Sequence, residues 1–248
     1  MLSDDMWKAL EIAIRRSKAH ITNGTRDAVE AILWRTRVGS PWRDLPAELG
    51  PWKTAYSRFN RWARAGRIAM IFEVLKIDVD GEWQCMDATI IKAHQHAAGA
   101  RGSRDEAIGH SRGGATTKVH ALCDANGNPT TVILTKGQTH DAKIAADLIA
   151  ATEEGAEAIL GDMAYDATHI RDKARARGLT PVFPFRTCTQ EGRRGGYDKA
   201  LYRLRHLVEN LFCGLKQFRA VATRYDKTAR NYLATVHMAC AFLWMKLW

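Results

Sequence analysis

Five cysteines, Cys85, Cys123, Cys188, Cys213 and Cys240, lie scattered through 248 residues, and no two of them form a CxxC pair. That argues against a zinc ribbon or a disulfide scaffold and suits a reducing compartment. No run of eighteen or more apolar residues occurs, so no membrane span is expected. Asp4 and Asp5 follow Met1 where a signal peptide would place a basic and then an apolar stretch. There is no GxxxxGK[ST], hence no sign of a P-loop nucleotide site, and no internal repeat or low-complexity tract. These absences leave a cytoplasmic protein that builds its own core.

The hydrophobic content is 46%, enough for one large domain or two small ones. The formal net charge is +10, compatible with a polyanionic partner, nucleic acid first. The excess is uneven. Arg186 to Arg230 holds eleven Lys or Arg against four acids, Glu191, Asp198, Glu209 and Asp226.

Apolar spacing predicts helices through residue 75, punctuated at Gly39-Ser40-Pro41, Asp44-Leu45-Pro46 and Leu49-Gly50-Pro51. Short helices on tight turns suit a helix-turn-helix style DNA-binding module. Lys53–Arg67 carries five basic residues and no acid. Tyr56, Phe59 and Trp62 descend one side of that helix, while Arg58, Arg61 and Arg64 descend the other and are candidate DNA contacts. Trp34, Trp42, Trp52 and Trp62 are expected to pack in the core or in turns.

After Asp78-Val79-Asp80-Gly81 the periodicity changes. Trp83–Ile91 reads as a strand carrying Asp87, and Thr116–Cys123 with Thr130–Thr135 reads as a hairpin over a turn-rich loop. Helix 141–151, strand 157–162, helix 167–177 and strand 181–185 follow. A connector at Gly192–Gly196, a long helix from about Asp198 and a last helix from about Arg230 to Trp248 complete the chain. This order predicts an α/β RNase H-like domain over residues 79–248, a mixed five-stranded sheet with flanking helices, behind an all-α module at 1–78. Its first and fourth strands would lie side by side, with Asp87 on one and Asp162 at the carboxyl end of the other.

Within the long helix, Tyr202, Arg205, Glu209 and Lys216 fall on one arc of ~60° at ~100° per residue, opposite Leu204, Leu207, Val208, Leu211 and Leu215. A carboxylate flanked by two cations and a phenol is what phosphodiester chemistry requires, though a solvated face with charge pairs uses the same residues. Asp87, Asp162 and Glu209 converging would repel unless cations bound them, which suggests two Mg²⁺ ions, with Mn²⁺ as a substitute. An acid after a strand also often caps a helix or turn, and Asp166 is the better cap candidate than Asp162. His94, His96 and His140 could ligate a metal, but the carboxylates already account for one. Gly113-Gly114 reads as a turn.

Six spans now carry a resemblance. Tyr202, Arg205, Glu209 and Lys216 meet the pattern Y-x2-R-x3-E-x6-K. Met86-Asp87-Ala88-Thr89 and Gly161-Asp162-Met163-Ala164-Tyr165-Asp166 look like two aspartate segments. Ser111-Arg112-Gly113-Gly114 to Lys118, and Gly137-Gln138-Thr139-His140-Asp141, also look familial. Gly39-Ser40-Pro41-Trp42-Arg43-Asp44-Leu45-Pro46 to Trp52 is similar to an N-terminal module. The chain resembles the DDE transposases of bacterial insertion sequences, specifically the Insertion Sequence 5 family. The resemblance implies an RNase H-like core with Asp87, Asp162 and Glu209 as catalytic metal ligands. It implies that Lys216 contacts the terminal phosphate region of the transposon end, assisted by Tyr202 and Arg205. Such proteins bind terminal inverted repeats, cleave there and join the freed 3′ ends to target DNA. A homodimer or larger assembly on the bacterial chromosome is expected, because two ends must be held together. An inactive or repurposed copy that only binds specific DNA is the alternative, though binding alone needs no acid triad.

Overall fold

The structure, a computed structural model, describes residues 2–76, 79–97, 106–185 and 196–245. Four helices come first: α1 (Asp4–Arg16), α2 (Thr25–Val38), α3 (Trp52–Arg64) and α4 (Arg67–Leu75). Ser3 caps α1 by accepting the Met6 N–H at 3.2 Å. Asp4 and Asp5 in its first turn and Arg15 and Arg16 in its last oppose the helix dipole. Helix α2 stops at Gly39, whose φ of 74° suits a residue without a side chain. A Cβ there would also meet Arg219 Cβ at 2.8 Å, so the glycine lets the N-terminal helices close on the C-terminal segment.

The strands are β1 (Trp83–Ala93), β2 (Gly109–Ser111), β3 (Gly114–Cys123), β4 (Pro129–Lys136), β5 (Ala158–Leu160), β6 (Thr180–Val182) and β7 (Thr223–Arg224). The remaining helices among the described residues are α5 (Ala145–Ala150), α6 (Thr168–Ala176), α7 (Lys199–Tyr202), α8 (His206–Lys216), α9 (Arg219–Ala222) and α10 (Ala229–Met245). The expected five strands are present in the order β4-β3-β1-β5-β6, antiparallel across β4, β3 and β1 and parallel from β1 through β5 to β6. Among the described residues the sheet has seven strands, not five. Short β2 pairs with the start of β3, and two-residue β7 pairs with the end of β1. Segments of three and two residues are too short for alternation to announce them. Arg112 and Gly113 form the β2–β3 turn, one residue earlier than the Gly113-Gly114 read from the sequence, and Gly114 already begins β3.

The sheet separates two cores. On one face Cys85, Ala121 and Leu160 join α8, α10 and the four N-terminal helices. On the other, Met86, Leu122 and Ile159 pack against α5 and α6. The first core runs without a break from α1 to α10, so the N-terminal helices are seated on the sheet domain. The expected boundary at residue 78 and most of the Gly192–Gly196 connector lie outside the described residues. Among those described, no helix is long and apolar enough to cross a membrane.

Candidate active site

Strand alternation settles where the two aspartates point. Cys85 faces the α8 side and Met86 the other, so Asp87, two residues beyond Cys85, faces α8. Leu160 pairs with Cys85 in the parallel β1–β5 ladder and shares its face. Two residues on, Asp162 is level with Asp87 and just past the end of β5. Opposite Asp87 stands Ala121, buried and small, which leaves the space above it to the α8 side chains.

The helical segment bearing Glu209 starts as expected at Asp198, which caps α7 by accepting the Ala200 and Leu201 N–H groups at 2.8 and 2.9 Å. It is not one continuous α-helix. A tight 3₁₀ turn at Arg203–Arg205 separates α7 from α8, so the single polar stripe holds strictly from Arg205 onward. Arg205 Nη1 donates to Asp87 Oδ2 at 2.8 Å and Nη2 to Glu209 Oε1 at 2.5 Å. One guanidinium thus joins a helix acid to a strand acid that lies 118 residues before the arginine in sequence. Tyr202 is half-buried, its ring edge-on to Tyr197 at 5.3 Å, and Lys216 is exposed two turns beyond Glu209.

The electrostatics follow from this packing. Burial pushes the Asp87 carboxyl up from its ordinary value, and the Asp162 charge adds to that, while the Ala88 N–H and Arg205 pull the other way. Burial also works against the Arg205 charge, but Asp87, Tyr202 and Glu209 more than restore it. Burial raises the Tyr202 phenol in spite of Arg205. The site is a cluster of acids in need of positive charge, and Arg205 supplies it. Among the described residues no three metal-binding side chains are gathered tightly enough to enclose an ion, and two of the acids are paired with the Arg205 guanidinium. The donor set itself, carboxylate oxygens and nothing softer, fits a hard divalent cation, and the bound guanidinium marks where positive charge is held.

Asp162 does have a second task. Its Oδ1 accepts the Ala164 N–H at 2.8 Å and caps the 3₁₀ turn Met163–Tyr165. Asp166, the expected cap, instead pairs with Arg171 at 2.9 Å, because an interior arginine outcompetes a helix end for a carboxylate. The three α3 arginines also part company. Arg61 and Arg64 are exposed, whereas Arg58 turns inward to the Thr25 and Thr22 hydroxyls at 2.5 and 3.2 Å and lies over Trp62. Phe59 and Trp62, read on one side of the helix with Tyr56, are buried, whereas Tyr56 is 38% exposed. His94 and His96 contact each other edge-on at 4.5 Å, away from the acids.

Two features escaped the sequence. Arg205 read as a DNA contact, and its bridge to Asp87 depends on a fold that no local pattern encodes. Lys118, aligned with Ile90 on β3, pairs with Asp141 at 2.8 Å, and the buried His120 lies 3.8 Å from the same carboxylate. The alternation of Lys118 and His120 within an apolar strand was the available signal.

Residues 81–244 match the family described as "Transposase DDE domain", and residues 2–72 match the one described as "Putative transposase of IS4/5 family". The chain belongs to the transposase DDE domain family. It is 34% identical over 135 residues to the "Putative transposase for insertion sequence element IS6501" of Brucella ovis, spanning 53% of this chain and 99% of that one. It is 38% identical over 103 residues to protein y4sN of Sinorhizobium fredii, spanning 40% of this chain and 82% of that one. Among solved structures, a pre-cleavage Mos1 transpososome aligns over 92% of this chain and 79% of its own at 14% identity and a TM-score of 0.30, too distant to carry an argument. Family membership and the strand order together make this a transposase with an RNase H-like sheet and an N-terminal helical region.

Proposed function

We propose that this transposase binds the terminal inverted repeats of an insertion sequence, cleaves phosphodiester bonds there and transfers the freed 3′ ends to target DNA. The observation that carries the reading is the placement of Asp87 and Asp162 level on one sheet face, with Glu209 brought to them through Arg205. Asp87, Asp162 and Glu209 would hold two divalent ions, Mg²⁺ with Mn²⁺ as a substitute, which when bound supply an activated oxygen nucleophile and stabilise the leaving 3′ oxygen. The half-buried setting of Asp87 restricts water around the reacting phosphate and strengthens each charge interaction there. Arg205, with a planar fork suited to phosphate, transfers from the carboxylates to the scissile region of the DNA. Tyr202 orients that guanidinium, and Lys216 holds a terminal phosphate. Arg61 and Arg64 extend the contact along the duplex from a DNA-binding unit at 1–78, seated on a catalytic unit at 79–248. Pairing of two ends requires a homodimer or larger assembly, and the bacterial chromosome is its place of action.

The test uses donor DNA carrying the inverted repeats that flank the gene, incubated with the purified protein in Mg²⁺. Cleavage at the repeat ends and joined products on a sequencing gel are expected, with both lost in Asp87→Asn. Cleavage by Asp87→Asn at the unmodified rate would end the catalytic assignment.

A further inference from the structure

A second site lies where the N-terminal helices meet the end of β1. There a cleft of about 810 Å³ opens between α3, the loop after α2 and the β7–α10 junction. Its walls carry exposed aromatic faces, Tyr56 at 38% and Tyr225 at 41%, with the His94 ring 4.6 Å from that of Tyr225. Arg64, Lys227 and Arg230 stand beside these rings, all exposed. Among the described residues lining the cleft Asp226 is the one acid, and it is engaged by Arg35 at 3.4 Å and by the Thr235 hydroxyl at 3.1 Å. The net character is therefore positive. The cleft is also preformed, since Asn231 Nδ2 donates to Asn60 Oδ1 at 2.7 Å and ties α10 to α3 across it.

Its position relative to the acids is fixed by β1. His94 lies seven residues beyond Asp87, ~23 Å at ~3.3 Å per strand residue. That is about seven steps of duplex at ~3.4 Å. From Glu209 the chain runs along α8 through Lys216 and Arg219 into β7, which pairs with Lys92 and Ala93 of β1. Exposed cations thus connect the acid cluster to the cleft along one path.

We propose that this cleft binds an unpaired stretch of DNA, with a base stacked on Tyr225 and its phosphates held by Lys227, Arg230 and Arg64. The inference rests on the DNA-binding reading above and adds a substrate form to it. A duplex presents phosphates and sugars to its surroundings and gains little from exposed rings. An unpaired base offers a face to stack, and a cationic groove with aromatic platforms is the general solution for single strands.

Fluorescence anisotropy of the full chain tests this with two probes, a labelled oligothymidylate and a duplex carrying the flanking inverted repeat. Tyr225→Ala should weaken oligothymidylate binding by about tenfold and change duplex binding by less than about twofold. Tyr225→Phe should bind both as the unmodified protein does, since stacking survives loss of the hydroxyl. Lys227→Ala should lower the salt slope for oligothymidylate by about one, whereas Tyr225→Ala should leave it unchanged. Tight oligothymidylate binding by Tyr225→Ala, no rescue by phenylalanine, or no binding of oligothymidylate by the unmodified protein would overturn the proposal. Failure of the unmodified protein to bind the repeat duplex while it holds oligothymidylate would instead count against the end-binding function.

Discussion

Arg205 is the residue on which the site turns. Its two hydrogen bonds hold a strand carboxylate and a helix carboxylate that would otherwise repel; Arg205 and Asp87 are only partly accessible, while Glu209 is exposed. Removing the cation leaves Asp87 half-buried and unpaired, a loss of ~1–3 kcal/mol for groups of this kind. Arg205→Gln should therefore lower the melting temperature in EDTA. Added Mn²⁺ should then raise it more in the variant than in the unmodified protein, because the ion meets carboxylates no longer occupied by a guanidinium. Calorimetry with and without Mn²⁺ measures both. An unchanged melting temperature in EDTA would show that the bridge contributes nothing to the apo state. The sequence revealed the acids and the cation through their spacing, since Arg205 and Glu209 are neighbours on one helical face. It did not reveal that Arg205 reaches Asp87, because strand and helix come together only through tertiary packing.

Among the elements, β5 and the turn after it set the separation of the two aspartates. Gly161 stands between the last strand residue and Asp162. A Cβ there would meet Tyr165 Cδ2 at 2.9 Å, Phe183 Cε1 at 3.1 Å and Met86 Cε at 3.2 Å. Tyr165 and Phe183 are buried, and Met86 directly precedes Asp87, so none of the three can yield without moving an acid or its support. Gly161→Ala should cost ~1–3 kcal/mol of stability through overpacking. A displacement near 1 Å should lower the cleavage rate by ~10²-fold with DNA affinity retained. Thermal melts and single-turnover cleavage on saturating donor DNA separate the two effects, and an unaltered rate would mean that the turn absorbs the methyl without shifting Asp162. The strand carrying Asp87 was legible as an apolar run with the acid midway along it, and the one before Asp162 as an apolar run ending on an acid. The closeness of Gly161 to Met86 was not, because it is set by the register of β1 against β5 and by the ring of Tyr165 folding back beneath them.

At the scale of the whole molecule, the N-terminal helices and the sheet domain share a core, and a histidine lies in the seam. His237 of α10 stacks on Phe72 of α4 with ring centroids 5.4 Å apart and planes 17° from parallel. Burial first, and then the charge of Lys76, lower its pKa from 6.5 to about 4. The folded protein thus holds a neutral imidazole down to about pH 4, while the unfolded chain takes up a proton below pH 6.5. Stability from this group is fully present above pH 6.5 and declines as pH falls toward the folded pKa. At ~1.4 kcal/mol per pH unit the limit is ~3.4 kcal/mol, and partial solvent access to the ring reduces it to ~2 kcal/mol. The buried His120, held by Thr135 at 2.8 Å and also lowered to about 4, acts in the same direction. Carboxylates contribute to acid sensitivity as well, so the variant rather than the raw pH curve isolates the seam. His237→Phe keeps the stack on Phe72 and removes the titration. Urea unfolding at pH 7 and at pH 4.5 should show the variant losing ~1–2 kcal/mol less than the unmodified protein over that interval. Equal losses in the two proteins would mean that His237 already exchanges its proton with solvent in the folded state, and that the seam between the N-terminal helices and the sheet domain is open to water.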